Sequence, residues 1–156
     1  MFVLEEMISI ITNKKMKKGV REEILGLYLK SSQKSYGELE AIVRNEIEDN
    51  DEVLSGRILY RLGMECGMEI PESLFIAGKK LKKDISIKGN LEIIKCMMRI
   101  NKANYEDVQI LLDGYKKSKN REISSRAEDI SQWIIRDKNA RDKKQKGQNG
   151  NILTPQ

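Results

Sequence analysis

Apolar residues recur at intervals of three and four along most of the chain, and period-two alternation is almost absent. That spacing predicts amphipathic helices. A first helix carries Leu4, Met7, Ile8 and Ile11 on one face; a second, after Gly19, carries Val20, Ile24, Leu27 and Tyr28. A third opens on Ser35-Tyr36-Gly37-Glu38, a capping box in which serine oxygen and glutamate satisfy reciprocal backbone N–H groups. Its stripe is Leu39, Ile42, Val43 and Ile47, and a fourth helix, starting near Asp51, buries Leu54, Ile58, Leu59 and Leu62. Pro71 suits the first turn of a fifth helix with Leu74, Ala77 and Leu81, since its missing N–H would have been unpaired there. Gly89-Asn90 introduces "LEIIKCMMRI", apolar around much of its circumference; the preceding "DISIKG" reads as a connector pinned by Ile85 and Ile87. Asn104 caps a seventh helix with Val108, Leu111, Leu112 and Tyr115, and an eighth carries Ile123, Ala127, Ile130 and Ile134 beside Trp133.

Alternate helices start near residues 2, 35, 71 and 105, and their partners near 20, 51, 90 and 121. This period of about 33 to 36 residues fits helical-hairpin repeats. "LFIAGKKLKK" at 74–83 also aligns with "ILLDGYKKSK" at 110–119, sharing a Gly-x-Lys pattern. Short loops force antiparallel neighbours, so the expected fold is all-α: about eight helices in four stacked antiparallel hairpins over residues 1–137. Residues 138–156 lack apolar periodicity and are expected to form a disordered basic tail.

The repeat period, the apolar second helices and the phrase "GRILYRLGMECGMEIPESLFIAGKKL" resemble HEAT-like α-helical repeat proteins. Small members of that class include bacterial immunity proteins that neutralise a cognate toxin. The resemblance covers residues 1–137 and implies an α-solenoid that binds proteins, or nucleic acid, without chemistry of its own. It transfers no functional residue, and the tetratricopeptide pattern is not met because the single Trp lies in the last helix.

Composition narrows the chemistry. The chain has no histidine, so an imidazole base, a histidine-containing triad and a histidine-ligated metal are all excluded. Cys66 and Cys96 stand thirty residues apart outside any CxxC pair, which speaks against zinc and predicts two reduced, packed thiols. Adjacent acids such as Glu5/Glu6 or Glu106/Asp107 project about 100° apart on a helix and do not share a site. No glycine-rich phosphate loop precedes a helix. The expectation is therefore a protein that is not an enzyme and uses no metal or cofactor. Glu5 and Glu6 interrupt the first apolar stretch, and its basic cluster follows rather than precedes it, unlike a signal peptide. No run approaches the roughly 18 apolar residues of a membrane span, so a cytoplasmic location is expected.

Charge is distributed unevenly. The net +5 divides into +4 for residues 136–156 and +1 for the rest, which holds 23 basic and 22 acidic groups. Within that near-neutral body, "RNEIEDNDEVL" places five carboxylates between Glu46 and Glu52. An EF-hand loop counted from Asp49 would need glycine and glutamate where Leu54 and Tyr60 stand, so calcium is excluded. Asp51 and Glu52 suit a helix N-terminus, whereas Glu46 and Glu48 oppose the dipole at a C-terminus. The alternative is a docking patch for a basic protein, such as a nuclease toxin domain, steered by charge. It would comprise Glu38, Glu40, Glu46, Glu48, Asp49, Asp51 and Glu52, with Tyr36 and Tyr60 as anchors. The runner-up is nucleic-acid binding by Arg57, Arg61, Lys79, Lys80, Lys82 and Lys83. These lysines also fit the last turn of the fifth helix, where cations complement the dipole. A third reading is a regulatory adaptor holding a peptide in a concave groove.

Overall fold

The computed structural model describes the chain over residues 3–153, with side chains as far as residue 145. Among the described residues there are eight α-helices and no strand. They are α1 (Leu4–Thr12), α2 (Lys18–Leu29), α3 (Tyr36–Glu48), α4 (Val53–Glu65), α5 (Glu72–Gly78), α6 (Asp84–Arg99), α7 (Tyr105–Lys116) and α8 (Arg121–Leu153). The chain divides into two compact units, Met1–Asn104 with α1 to α6 and Tyr105–Gln156 with α7 and α8.

In the first unit each helix packs on its hairpin partner: α1 on α2, α3 on α4, α5 on α6. Between hairpins, α4 meets both α2 and α6, and α3 meets α5. The α4–α6 seam is the closest. A Cβ on Gly56 would lie 2.8 Å from the Ile85 carbonyl oxygen, and one on Gly63 would lie 2.5 Å from the Glu92 carbonyl carbon. Any larger residue would push the two helices apart, which is why glycine occupies both positions. Leu54, Ile58, Leu59 and Leu62 of α4 and Leu91, Ile93, Ile94 and Met97 of α6 fill the core around this seam.

Helix ends follow local chemistry. Ser35 caps α3 by accepting the Glu38 N–H at 3.2 Å. Both α3 and α6 end on an asparagine in the left-handed region, Asn50 (φ 57°) and Asn101 (φ 60°). The N–H of Asp51 then reaches Glu46 O at 3.0 Å, and that of Lys102 reaches Met97 O at 2.8 Å. These are Schellman endings, in which asparagine substitutes for the usual glycine.

Three sequence expectations need correction. The connector "DISIKG" is the first part of α6: Ile87 and Ser86 are buried but Ile85 is exposed. In α2 the buried face is Arg21, Ile24, Leu25, Tyr28 and Leu29, whereas Val20 and Leu27 face solvent. Cys66 and Cys96 are not separate thiols but a disulfide, with Cα atoms 5.3 Å apart. In the segment from 138 onward the structure draws α8 on to Leu153. Ion pairs one turn apart support it, Arg141 with Asp137 at 3.0 Å and Lys138 with Asp142 at 3.3 Å. The Lys146 side chain and residues 154–156 of that segment lie outside the described residues.

In the second unit, Val108 and Leu112 of α7 are buried, as are Ile123, Ala127, Ile130 and Ile134 of α8. Asn120 starts α8 by accepting the N–H groups of Glu122 and Ile123 at 3.0 and 3.3 Å. Ser131 adds a hydrogen bond to Gln109 Oε1 at 2.9 Å.

Candidate functional site

The acid-rich turn between α3 and α4 is largely engaged by the chain's own cations. Glu46 is 2 % exposed. Its Oε1 accepts from Arg21 at 2.5 Å and from Lys14 at 2.8 Å, while Oε2 has no hydrogen-bond partner. Arg21 also donates through Nε to the Ile11 carbonyl at 2.7 Å, satisfying an orphan acceptor at the end of α1. Asp49 pairs with Lys14 at 2.6 Å, Asp51 with Lys18 at 3.3 Å, and Glu40 with Arg44 at 2.7 Å. Burial alone would lower the Lys14 ammonium, but hydrogen bonds and charge from Asp49 and Glu46 outweigh it and raise its pKa above the ordinary lysine value. For Asp51, burial is likewise outweighed, here by the Val53 N–H and by Lys18, so its pKa is lowered.

Glu52 is 4 % exposed and has a different task. Oε1 accepts the backbone N–H groups of Lys82 and Lys83 at 2.9 and 3.0 Å and the Ser86 hydroxyl at 2.5 Å. A carboxylate from the start of α4 thus holds the N-terminus of α6, where negative charge is favoured. These hydrogen bonds, with the Lys83 charge, outweigh the effect of burial and lower its pKa. Of the nine residues proposed as a protein-docking patch, Glu46 and Glu52 are therefore buried inside the fold. Glu38, Glu48 and Asp49 remain exposed, Tyr36, Glu40 and Asp51 are partly covered, and Tyr60 faces solvent elsewhere on α4.

The basic set also separates. α5 ends at Gly78, so Lys79, Lys80, Lys82 and Lys83 occupy the loop to α6 rather than the last turn of α5. Lys79 lies over the Phe75 ring at 4.8 Å, and the Lys83 ammonium donates to the Asn50 carbonyl. Arg57 and Arg61 instead line a groove across α2, α4 and α6, which contains none of those four lysines.

That groove is the most site-like feature of the first unit. Its volume is about 490 Å³, within the range of ligand-binding clefts. Leu25 and Leu29 of α2, Tyr60 of α4 and Ile85 of α6 form an apolar floor; Gly56 and Gly89, where a Cβ would run into the α4–α6 seam, and Gly26, where it would meet open space, complete the lining. Lys30, Arg57, Arg61 and Lys88 line it as well, and no carboxylate does. Tyr60 is 51 % and Ile85 54 % exposed; Met64, one turn beyond Tyr60 on the same face, is 59 % exposed. Arg57 leans on Glu22 at 3.4 Å and Arg61 on Glu65 at 2.7 Å. Exposed pairs of this kind contribute only about 0.2–1 kcal/mol, so an incoming carboxylate can replace either acid.

Lys30 and Lys88 were not singled out from the sequence. Their only signal was position: Lys30 follows Gly26 by one turn on α2, and Lys88 precedes Gly89 on α6. Among the described residues no group of three or more Cys, Asp or Glu side chains is arranged to hold a metal ion, and no helix is long and apolar enough to cross a membrane. No protein-family model matches the chain, and neither a curated protein nor a solved structure is significantly similar to it.

Proposed function

We propose that the chain is a non-catalytic protein-binding module. In this reading the hairpins α1/α2, α3/α4 and α5/α6 stack as a short α-solenoid, and the face made by α2, α4 and α6 receives a segment of a partner protein. The carrying observation is the groove itself: an apolar floor in which Tyr60 and Ile85 stay exposed, with exposed Met64 one turn beyond, on helices locked together at glycine contacts. Rigid backbone beneath exposed aromatic and apolar side chains is what an interface anchor requires.

The binding face proposed here replaces the acidic corner, because Glu46 and Glu52 hold the fold together and Asp49 and Asp51 are paired with Lys14 and Lys18. An immunity-type inhibitor would act through such a face by occlusion, covering a partner's working surface; a toxin as partner rests on the resemblance alone. The Cys66–Cys96 bond does not favour the cytoplasmic location expected from the sequence, since disulfides persist in oxidising compartments.

Placing a photo-crosslinking residue at position 60, with a control at exposed position 106 of the second unit, tests the reading in the native cell. The expected result is a stoichiometric protein adduct at 60 that the control does not form. A nucleic-acid adduct at 60, or equal labelling at both positions, would overturn it.

A further inference from the structure

We infer that the occupant of the α2/α4/α6 groove is an acidic amphipathic helix of the partner; this rests on the protein-binding reading above and names the chemistry of its ligand. Three features of the groove lead there.

The first is charge. Lys30, Arg57, Arg61 and Lys88 come from three different helices and converge around one apolar floor, with no carboxylate in the lining. On α6 the same face runs on through Lys95 and Arg99, seven and eleven residues beyond Lys88. Glu92 falls on that face too, but it is buried. Glu22 and Glu65, which pair with Arg57 and Arg61, stand beside the groove, and Asp84 is exposed one residue before Ile85 at its α6 side. A ligand with carboxylates along its flanks meets complementary charge on both sides of the floor. Arginine suits such a partner because its planar donors engage carboxylates in bidentate fashion.

The second is apolar content. A nucleic-acid strand would want stacking platforms, and the floor supplies one aromatic ring, Tyr60, among aliphatic side chains and glycines. Leucine-like side chains at helical spacing fit it better. The exposed strip from Tyr60 to Met64 continues past the groove, which favours a macromolecular ligand over a small amphiphile.

The third is backbone accounting. An extended peptide must find partners for its own N–H and C=O groups, usually on a strand edge, and the described residues contain no strand. A helix satisfies its backbone internally and presents only side chains.

The test compares two designed peptides of about five helical turns. They share one leucine stripe, flanked by glutamates in one peptide and by lysines in the other. Binding to the full chain is read by fluorescence anisotropy, with a labelled single-stranded oligonucleotide as a third probe. The glutamate-flanked helix should bind about tenfold more tightly than its twin and weaken between about 50 and about 300 mM salt. Both R57E/R61E and K30E/K88E should weaken it by about tenfold or more, with the chain still fully folded at the assay temperature by circular dichroism because these side chains are exposed. If the lysine-flanked twin binds equally well or better and Y60A abolishes that binding, the acidic ligand is wrong while protein binding stands. If neither peptide binds, the inference is overturned. If in addition the oligonucleotide binds and R57E/R61E removes it, the protein-binding reading falls as well.

Discussion

Two charged regions of the first unit make opposite use of their ions. At the α3–α4 turn, acids of one segment meet Lys14, Lys18 and Arg21 from another, so charge fastens α1, α2 and α3 together. Across α2, α4 and α6, cations ring an apolar floor whose lining holds no carboxylate, and Arg57 and Arg61 meet their acids only in exposed pairs. The first arrangement is self-complementary around a buried pair, and the second keeps its charge at the surface, where a ligand can compete for it. Charge density along the sequence does not distinguish them; only the position of the counterion does.

That contrast can be broken experimentally, most severely at the buried pair. E46A should cost about 3–5 kcal/mol, because it strands the Arg21 guanidinium in the interior. R21M/E46L should recover most of the loss, since apolar groups of similar size often replace a buried ion pair without penalty. Chemical denaturation reads both, and an E46A chain as stable as the parent would mean the pair is not a fastener. Next in size, G63A should destabilise by about 1–3 kcal/mol through overpacking of the α4–α6 seam.

A comparable loss is expected for E52Q, about 1–3 kcal/mol, because a neutral amide caps the N-terminus of α6 less well than a carboxylate. This variant also carries a pH signature. The folded pKa of Glu52 is lowered, so its contribution is present above the unfolded glutamate value of about 4.3 and is lost as pH falls through the folded pKa. The parent and E52Q should therefore converge in stability under acid, and parallel curves down to the lowest accessible pH would contradict the assignment. The smallest effect should come from E48K, which changes an exposed side chain and should alter stability by no more than about 0.5 kcal/mol. It should also leave partner binding unchanged, whereas R57E/R61E should not.

Much of the architecture was legible because helix periodicity is a local signal. All eight helices appear in the expected order, and the α8 stripe of Ile123, Ala127, Ile130 and Ile134 is buried residue for residue. The failures share a cause: the deciding partner lies far along the chain. "DISIKG" became helix because the carboxylate that caps it, Glu52, comes from about thirty residues earlier. In α2 two apolar faces competed, and only contacts with other elements could choose Leu25 and Leu29 over Val20 and Leu27. The fate of Arg21 hung on the same choice: it shares a helical face with Ile24, Leu25 and Tyr28, and once that face is the buried one its guanidinium requires an acid. That acid is Glu46, which leaves the docking patch for this reason. The groove was less accessible, since four cations on three helices are unremarkable until the helices are laid side by side.

The covalent link between Cys66 and Cys96 encloses α5 within a closed loop. A helix of only seven residues has little stability of its own, so α5 is held by the burial of Leu74, Phe75 and Ala77. Were it to open, the end of α4 would stay tethered to α6, and the open state would have lost a flap rather than a wall. Loosening on one side of the molecule is thereby insulated from the walls of the groove on the other.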